Sequence, residues 1–135
     1  MLGAARSGSS LPALAAGAAS VTWALLLCVG ALAPDVPRAA SAVPDWLAHS
    51  VGYGVQGGLV RVWLHLAGRR RHAFLWSVGA AVLLGVATEL LQGLHPARSA
   101  EIRDLTANAV GALAIVGGVS LALRFLRRDG EDGGS

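Results

Sequence analysis

The chain has 135 residues, 54% of them hydrophobic and only 14% charged, with a net charge of +3 in which every basic residue other than histidine is an arginine. A soluble domain carries roughly 25% charged residues, so the composition excludes one with an ordinary surface and implies a small polytopic membrane protein of one domain. The arginines crowd near the ends of apolar runs, which favours orientation and contact with anionic lipid over nucleic-acid binding.

Residues 1–13 are small and polar with one arginine, and the expectation is a disordered cytoplasmic tail. Leu14 to Ala33 is an uncharged run of 20 residues and the first expected span. The competing reading is a cleavable signal peptide, because Ala31-Leu32-Ala33 resembles a cleavage site; Pro34 directly after it and the length of the run argue against cleavage. Cys28 is the only cysteine, so no disulfide can form within the chain and no Cys/His zinc spacing exists. It reads as a packing residue.

Pro34 to Pro44 contains three prolines and is predicted to be a loop. Asp45 stands where an N-cap would, ahead of a second span from Trp46 to Ala67. His49, Tyr53 and Gln56 follow one another at i, i+4 and i+7 and share a face, and Asp45 extends that stripe by a turn. Arg61 near the other end is expected to snorkel towards headgroups, with His65 at the interface. Gly54 and Gly58 form a GxxxG pair overlapped by Gly57, the kind of small-residue spacing that lets membrane helices approach. General richness in Ala and Gly accounts for much of that signal.

Arg69, Arg70, Arg71 and His72 make a short basic loop before the third span, Phe74 to Gly93. Thr88, Glu89 and Gln92 interrupt this span near its far end. A Pro96-Ala97-Arg98 turn follows, and Leu105 to Leu123 is the fourth span, in which Asp104, Asn108 and Gly111 repeat i, i+4, i+7. Arg124, Arg127 and Arg128 close it; residues 127–135 are expected to be a cytoplasmic polar tail, disordered from Asp129 to Ser135.

Four spans put both termini and the Arg69–Arg71 loop on one side. That side holds Arg6, Arg69, Arg70, Arg71, Arg124, Arg127 and Arg128, against Arg38, Arg98 and Arg103 on the other. The excess predicts cytoplasmic termini, with the 34–45 and 94–103 loops outside. The stripes of Asp45, His49 and Tyr53, of Glu89 and Gln92, and of Asp104 and Asn108 then lie at one depth. Turned inward, they form a polar pocket in the outer leaflet, lidded by His95, Arg98 and Glu101. Each residue also has an ordinary structural reading. Asp45 and Asp104 can cap helices at about 0.5–2 kcal/mol each, Tyr53 can be a belt aromatic and His49 can bond a backbone carbonyl. Glu89 is the hardest to explain that way, since an ionisable group inside a span is costly and functional by default; Arg98 or His49 is its natural partner.

These residues carry a family resemblance. The pattern Asp45-x-x-x-His49-x-x-x-Tyr53, then Glu89-x-x-Gln92, Pro96-x-Arg98 and Asp104-x-x-x-Asn108-x-x-Gly111, resembles the VanZ-like family, named for an accessory teicoplanin-resistance protein of Gram-positive bacteria. It covers residues 14–126, the expected four-helix transmembrane domain. Two positions depart from the family pattern. Trp46 stands where a lysine is common, which removes a charge from the pocket rim, and Ala97 stands where glycine is common, in the turn that aims Arg98. The resemblance implies an all-α, multi-pass protein of the bacterial plasma membrane and cell envelope, and carries no reaction with it.

Three functions fit the residues. The first is binding of an amphiphile's polar head by Asp45, His49, Tyr53, Glu89, Gln92, Arg98, Asp104 and Asn108. The ligand would be a membrane lipid, a lipid-linked envelope precursor or a lipoglycopeptide, with glycopeptide tolerance as one phenotype. The acid-rich rim weighs against a simple anion trap. The second is an intramembrane enzyme on a lipid-linked substrate, with His49 and Glu89 as the candidate catalytic residues; no nucleophile elbow or HExxH motif supports it. The third is a structural protein whose polar residues only hold helices together. No cofactor is expected and no metal is assigned, although a metal variant of the enzyme would use His49, Glu89 and Asp104. No nucleic-acid partner is expected, and homo-oligomerisation is left open.

Overall fold

The structure, a computed structural model, describes residues 10–32, 43–94 and 102–132, with side chains in the last stretch as far as Arg127. It is an all-α bundle of four helices: α1 (Leu11–Leu32), α2 (Asp45–Leu66), α3 (Ala73–Gly93) and α4 (Ile102–Asp132). The 34–42 part of the proline-rich loop, the Pro96-Ala97-Arg98 turn, and the lid residues His95, Arg98 and Glu101 lie outside the described residues.

The helices begin and end within a few residues of the apolar runs, with one exception. α4 continues to Asp132, past the arginines expected to end it and into the tail expected to be disordered. The sequence from Arg124 to Asp129 contains neither glycine nor proline, so no helix breaker stands where the apolar pattern stops. The N-cap of α2 is also displaced. Pro44, in an extended conformation, takes that position without a side-chain bond, and Asp45 is the first helical residue. There a carboxylate still favours the helix dipole.

α1, α3 and α4 are long and apolar enough to cross a membrane. α2 is less apolar, because Asp45, His49, Gln56, Arg61 and His65 interrupt it, yet it occupies the middle of the bundle. It packs on α1, α3 and most extensively on α4, while α1 and α4 do not meet among the described residues. α2 reverses into α3 through a tight turn. Arg69 N–H donates to the Leu64 carbonyl and Gly68 N–H to the His65 carbonyl, with Gly68 at φ 72°, a Schellman closure that glycine permits.

The distribution of polarity is inverted relative to a soluble bundle. Leu14, Val21, Leu25, Leu83, Leu90 and Leu121 face outward, whereas Glu89, Asn108, Thr88 and Ser77 are among the largest fully buried side chains. An apolar exterior around a polar core is the arrangement a lipid solvent favours. Small residues permit the central contact. A Cβ placed on Gly54 would lie 2.7 Å from the Gly111 carbonyl, and one on Gly58 would lie 3.1 Å from Ile115. α2 and α4 therefore pack nearly backbone to backbone where they cross.

Candidate functional site

Thr88, Glu89 and Asn108 are buried towards one end of the bundle, where α2 and α4 begin and α3 ends, whereas Ser77 and Ser120 are buried towards the other. His49 stands four residues into α2, Glu89 four residues before the end of α3, and Asp104 two residues into α4. Antiparallel neighbours bring these positions together. His49 Nδ1 lies 3.8 Å from Glu89 Oε1 and 3.2 Å from Asn108 Oδ1. One ligand-capable atom from each of His49, Glu89 and Asp104 falls within 4.8 Å of the others. Glu89 and Asn108 are buried at 2% and 1% exposure. The His49 side chain keeps 18% exposure and Asp104 is half-buried, so the cluster is not fully enclosed.

Tyr53 orients the imidazole. The two rings stack with centroids 5.8 Å apart and planes inclined by 22°. Tyr53 is itself held by a short hydrogen bond to Thr88 Oγ1 across the α2–α3 contact. The Thr88 hydroxyl also lies 2.9 Å from the Gly85 carbonyl and 3.1 Å from that of Leu84. Its single proton goes to a backbone carbonyl, so the Tyr53 phenol is the donor to Thr88. A Cβ at Gly85 would come within 2.6 Å of Asn108 Nδ2, so the glycine makes room for the amide.

Several residues of the expected pocket go elsewhere. Gln92 turns to α1, where Nε2 donates to the Ala31 carbonyl at 3.3 Å. Asp45 is exposed, one turn beyond His49. Gln56, on the stripe of Tyr53 but outside the expected pocket, donates to Ser20 Oγ of α1 at 3.1 Å. Arg98 is outside the described residues. Arg61 does not run freely to the interface, because its Nε donates to Ser120 Oγ of α4 at 3.0 Å, an acceptor inside the bundle that the expectation of snorkelling did not include.

Four contributors were not among the expected site residues. Thr88 anchors Tyr53, Ser20 receives Gln56, Ser120 receives Arg61, and Trp23 of α1 donates to the Gly52 carbonyl at 2.8 Å. A hydroxyl or indole within an apolar run usually satisfies itself locally or at a helix contact. Thr88, adjacent to Glu89, offered the nearest clue.

Comparison with protein-family models, curated proteins and solved structures finds no match. The chemistry of the site therefore rests on its own atoms: one imidazole, two carboxylates and an amide from three helices, with Glu89 and Asn108 buried and His49 and Asp104 partly exposed.

Proposed function

We propose that the chain is a VanZ-like multi-pass protein of a bacterial plasma membrane, in which all four helices cross and both termini are cytoplasmic. On this reading the cluster of His49, Glu89, Asp104 and Asn108 lies in the outer leaflet and binds the polar head of an amphiphile. Membrane lipids and lipid-linked envelope precursors are the candidate class, and glycopeptide tolerance is the phenotype implied by the resemblance. The convergence of His49, Glu89 and Asp104 from three separate helices carries the proposal. Polar groups that served only to hold helices together would not need to include a partly exposed imidazole and carboxylate beside a buried Glu89.

The contacts support His49, Glu89, Asp104 and Asn108 as the core of the binding site, with Tyr53 as the support of His49. Gln92, occupied with α1, belongs to the wall. Arg98, placed by the sequence just beyond α3, supplies the cation for a headgroup phosphate or carboxylate. The test is lipid retention. Wild type purified in mild detergent should carry a lipid, identified by mass spectrometry, that is depleted from His49→Ala and Arg98→Ala. Equal lipid on all three proteins would refute headgroup binding at this site.

A second reading takes the same atoms. His49 Nδ1 at 3.8 Å from Glu89 Oε1 is the start of a base–carboxylate pair, and on a lipid-linked substrate His49 would be the base and Glu89 its orienting group. Turnover of a lipid-linked precursor by wild type and not by His49→Ala would favour it.

A further inference from the structure

We infer that His49, Glu89 and Asp104 form a site for a divalent transition-metal ion. The inference rests on reading these side chains as a ligand-binding site, but metal content and lipid retention are separate measurements.

The first argument is geometric. One ligand atom from each residue lies within 4.8 Å of the other two, and the three arrive from α2, α3 and α4. Two ligands held about 2.1 Å from one ion at a tetrahedral angle stand about 3.4 Å apart. The 3.8 Å between His49 Nδ1 and Glu89 Oε1 is too long for a good hydrogen bond and close to the separation of two ligands on a shared ion.

The second argument is independent of that spacing. Asp104 Oδ1 is buried and has no hydrogen-bond partner among the described residues. Asn108 is 1% exposed and borders the cluster, with Oδ1 3.2 Å from His49 Nδ1. Buried polar atoms left without partners are costly. An ion supplies the partner to Asp104. His49 then turns a lone pair on Nδ1 to the ion and keeps its proton on Nε2. The Tyr53 stack, itself tied to Thr88, holds the ring in place.

The donor set selects the ion. Imidazole with carboxylates suits zinc, manganese or iron(II) rather than magnesium or calcium, and no thiolate joins this cluster. Three side-chain ligands leave a coordination position open, as in catalytic rather than structural zinc sites. An oxygen of a headgroup phosphate or carboxylate fits that position. A bound dication also reconciles an acid-rich cluster with an anionic ligand, because it reverses the local charge.

The experiment uses the full chain in detergent, stripped with chelator, loaded with Zn²⁺, desalted and assayed for metal by mass spectrometry. The expected result is one zinc per wild-type chain. Asp104→Asn and Glu89→Gln should each weaken binding by at least about tenfold, since even partners outside the ligand shell are worth about 10–100-fold. His65→Gln, towards the other end of α2, should bind as wild type does. Co²⁺ should give a visible d–d absorption band in wild type that Asp104→Asn lacks. Thermal melts guard against misfolding: Zn²⁺ should raise the melting temperature of wild type and His65→Gln and leave that of Asp104→Asn unchanged. Substoichiometric zinc on wild type, or zinc retained equally by Asp104→Asn, overturns the inference. Lipid retained by chelator-stripped wild type but not by Arg98→Ala, with no zinc binding, would remove the metal and leave the headgroup reading standing.

Discussion

Gly111 of α4 rests on the backbone carbonyl of Ser50 in α2, with no room for a Cβ between them. His49 immediately precedes Ser50, and Asn108 lies three residues before Gly111, on the same side of α4. The crossing therefore fixes the register in which the imidazole meets the amide. A slip of one residue moves a helix by about 1.5 Å and turns it by about 100°, which is enough to separate them.

Gly111→Ala should accordingly destabilise the protein by at least about 1–3 kcal/mol, the range for overpacking, and Gly111→Leu should lower the yield of folded protein. Gly117 is the control within the same helix, because a Cβ there meets nothing within 4 Å. Gly117→Ala should be neutral or stabilising by up to about 1 kcal/mol, through helix propensity alone. Thermal melts in detergent compare the two. Equal effects at both positions would mean that the α2–α4 crossing is not this close.

How far the sequence disclosed this arrangement depends on the kind of information involved. Run length is a local property, so the helices were legible to within a few residues, except at the end of α4. There hydrophobicity stopped but the capacity for helix did not. Periodicity locates a face, so His49 with Tyr53 and Asp104 with Asn108 could be paired along their own helices. It does not give a helix's rotation against its neighbours. Glu89 and Gln92 differ by about 60° around α3, enough for one to face His49 and the other the Ala31 carbonyl. Contacts such as Arg61 to Ser120 join residues 59 apart in the chain, and nothing near Arg61 announces them.

The link between Tyr53 and Thr88 gives an asymmetric prediction. Tyr53→Phe removes a donor, while the Thr88 hydroxyl keeps its bond to the backbone of α3. The cost should be that of an ordinary hydrogen bond, about 0.5–1.5 kcal/mol. Thr88→Val instead leaves a buried phenol with no acceptor, at about 1–3 kcal/mol. Thr88→Val should therefore be the less stable single variant, and adding Tyr53→Phe to it should restore part of the loss. A double variant no better than Thr88→Val would show that the phenol finds another acceptor.

Topology decides which leaflet holds the site. With Cys28→Ser as background, single cysteines replace Ser41, Ser99 and His72. The arginine distribution predicts that an impermeant thiol reagent on intact cells labels the first two positions and not the third. Labelling of position 72 alone would invert the protein and move the cluster of His49, Glu89 and Asp104 to the cytoplasmic face.

The last prediction concerns how Glu89 is held at 2% exposure. A carboxylate so enclosed needs a compensating group, and His49 Nδ1 stands 3.8 Å away. Removing one partner of a buried polar contact strands the other at about 1–3 kcal/mol, whereas replacing both is often milder. Glu89→Gln and His49→Gln should therefore each lower the melting temperature, and the double variant should lose less than their sum. The expected coupling is about 0.5–3 kcal/mol, the range for residues in contact. A parallel cycle with Arg98→Ala separates the two candidate partners, because Arg98 follows the end of α3 by only a few residues. Coupling of Glu89 to His49 with additivity towards Arg98 is the expected pattern. It would mean that the cluster balances itself across α2 and α3, leaving Arg98 for the ligand. The reverse pattern would make Arg98 the partner of Glu89 and withdraw it from the headgroup.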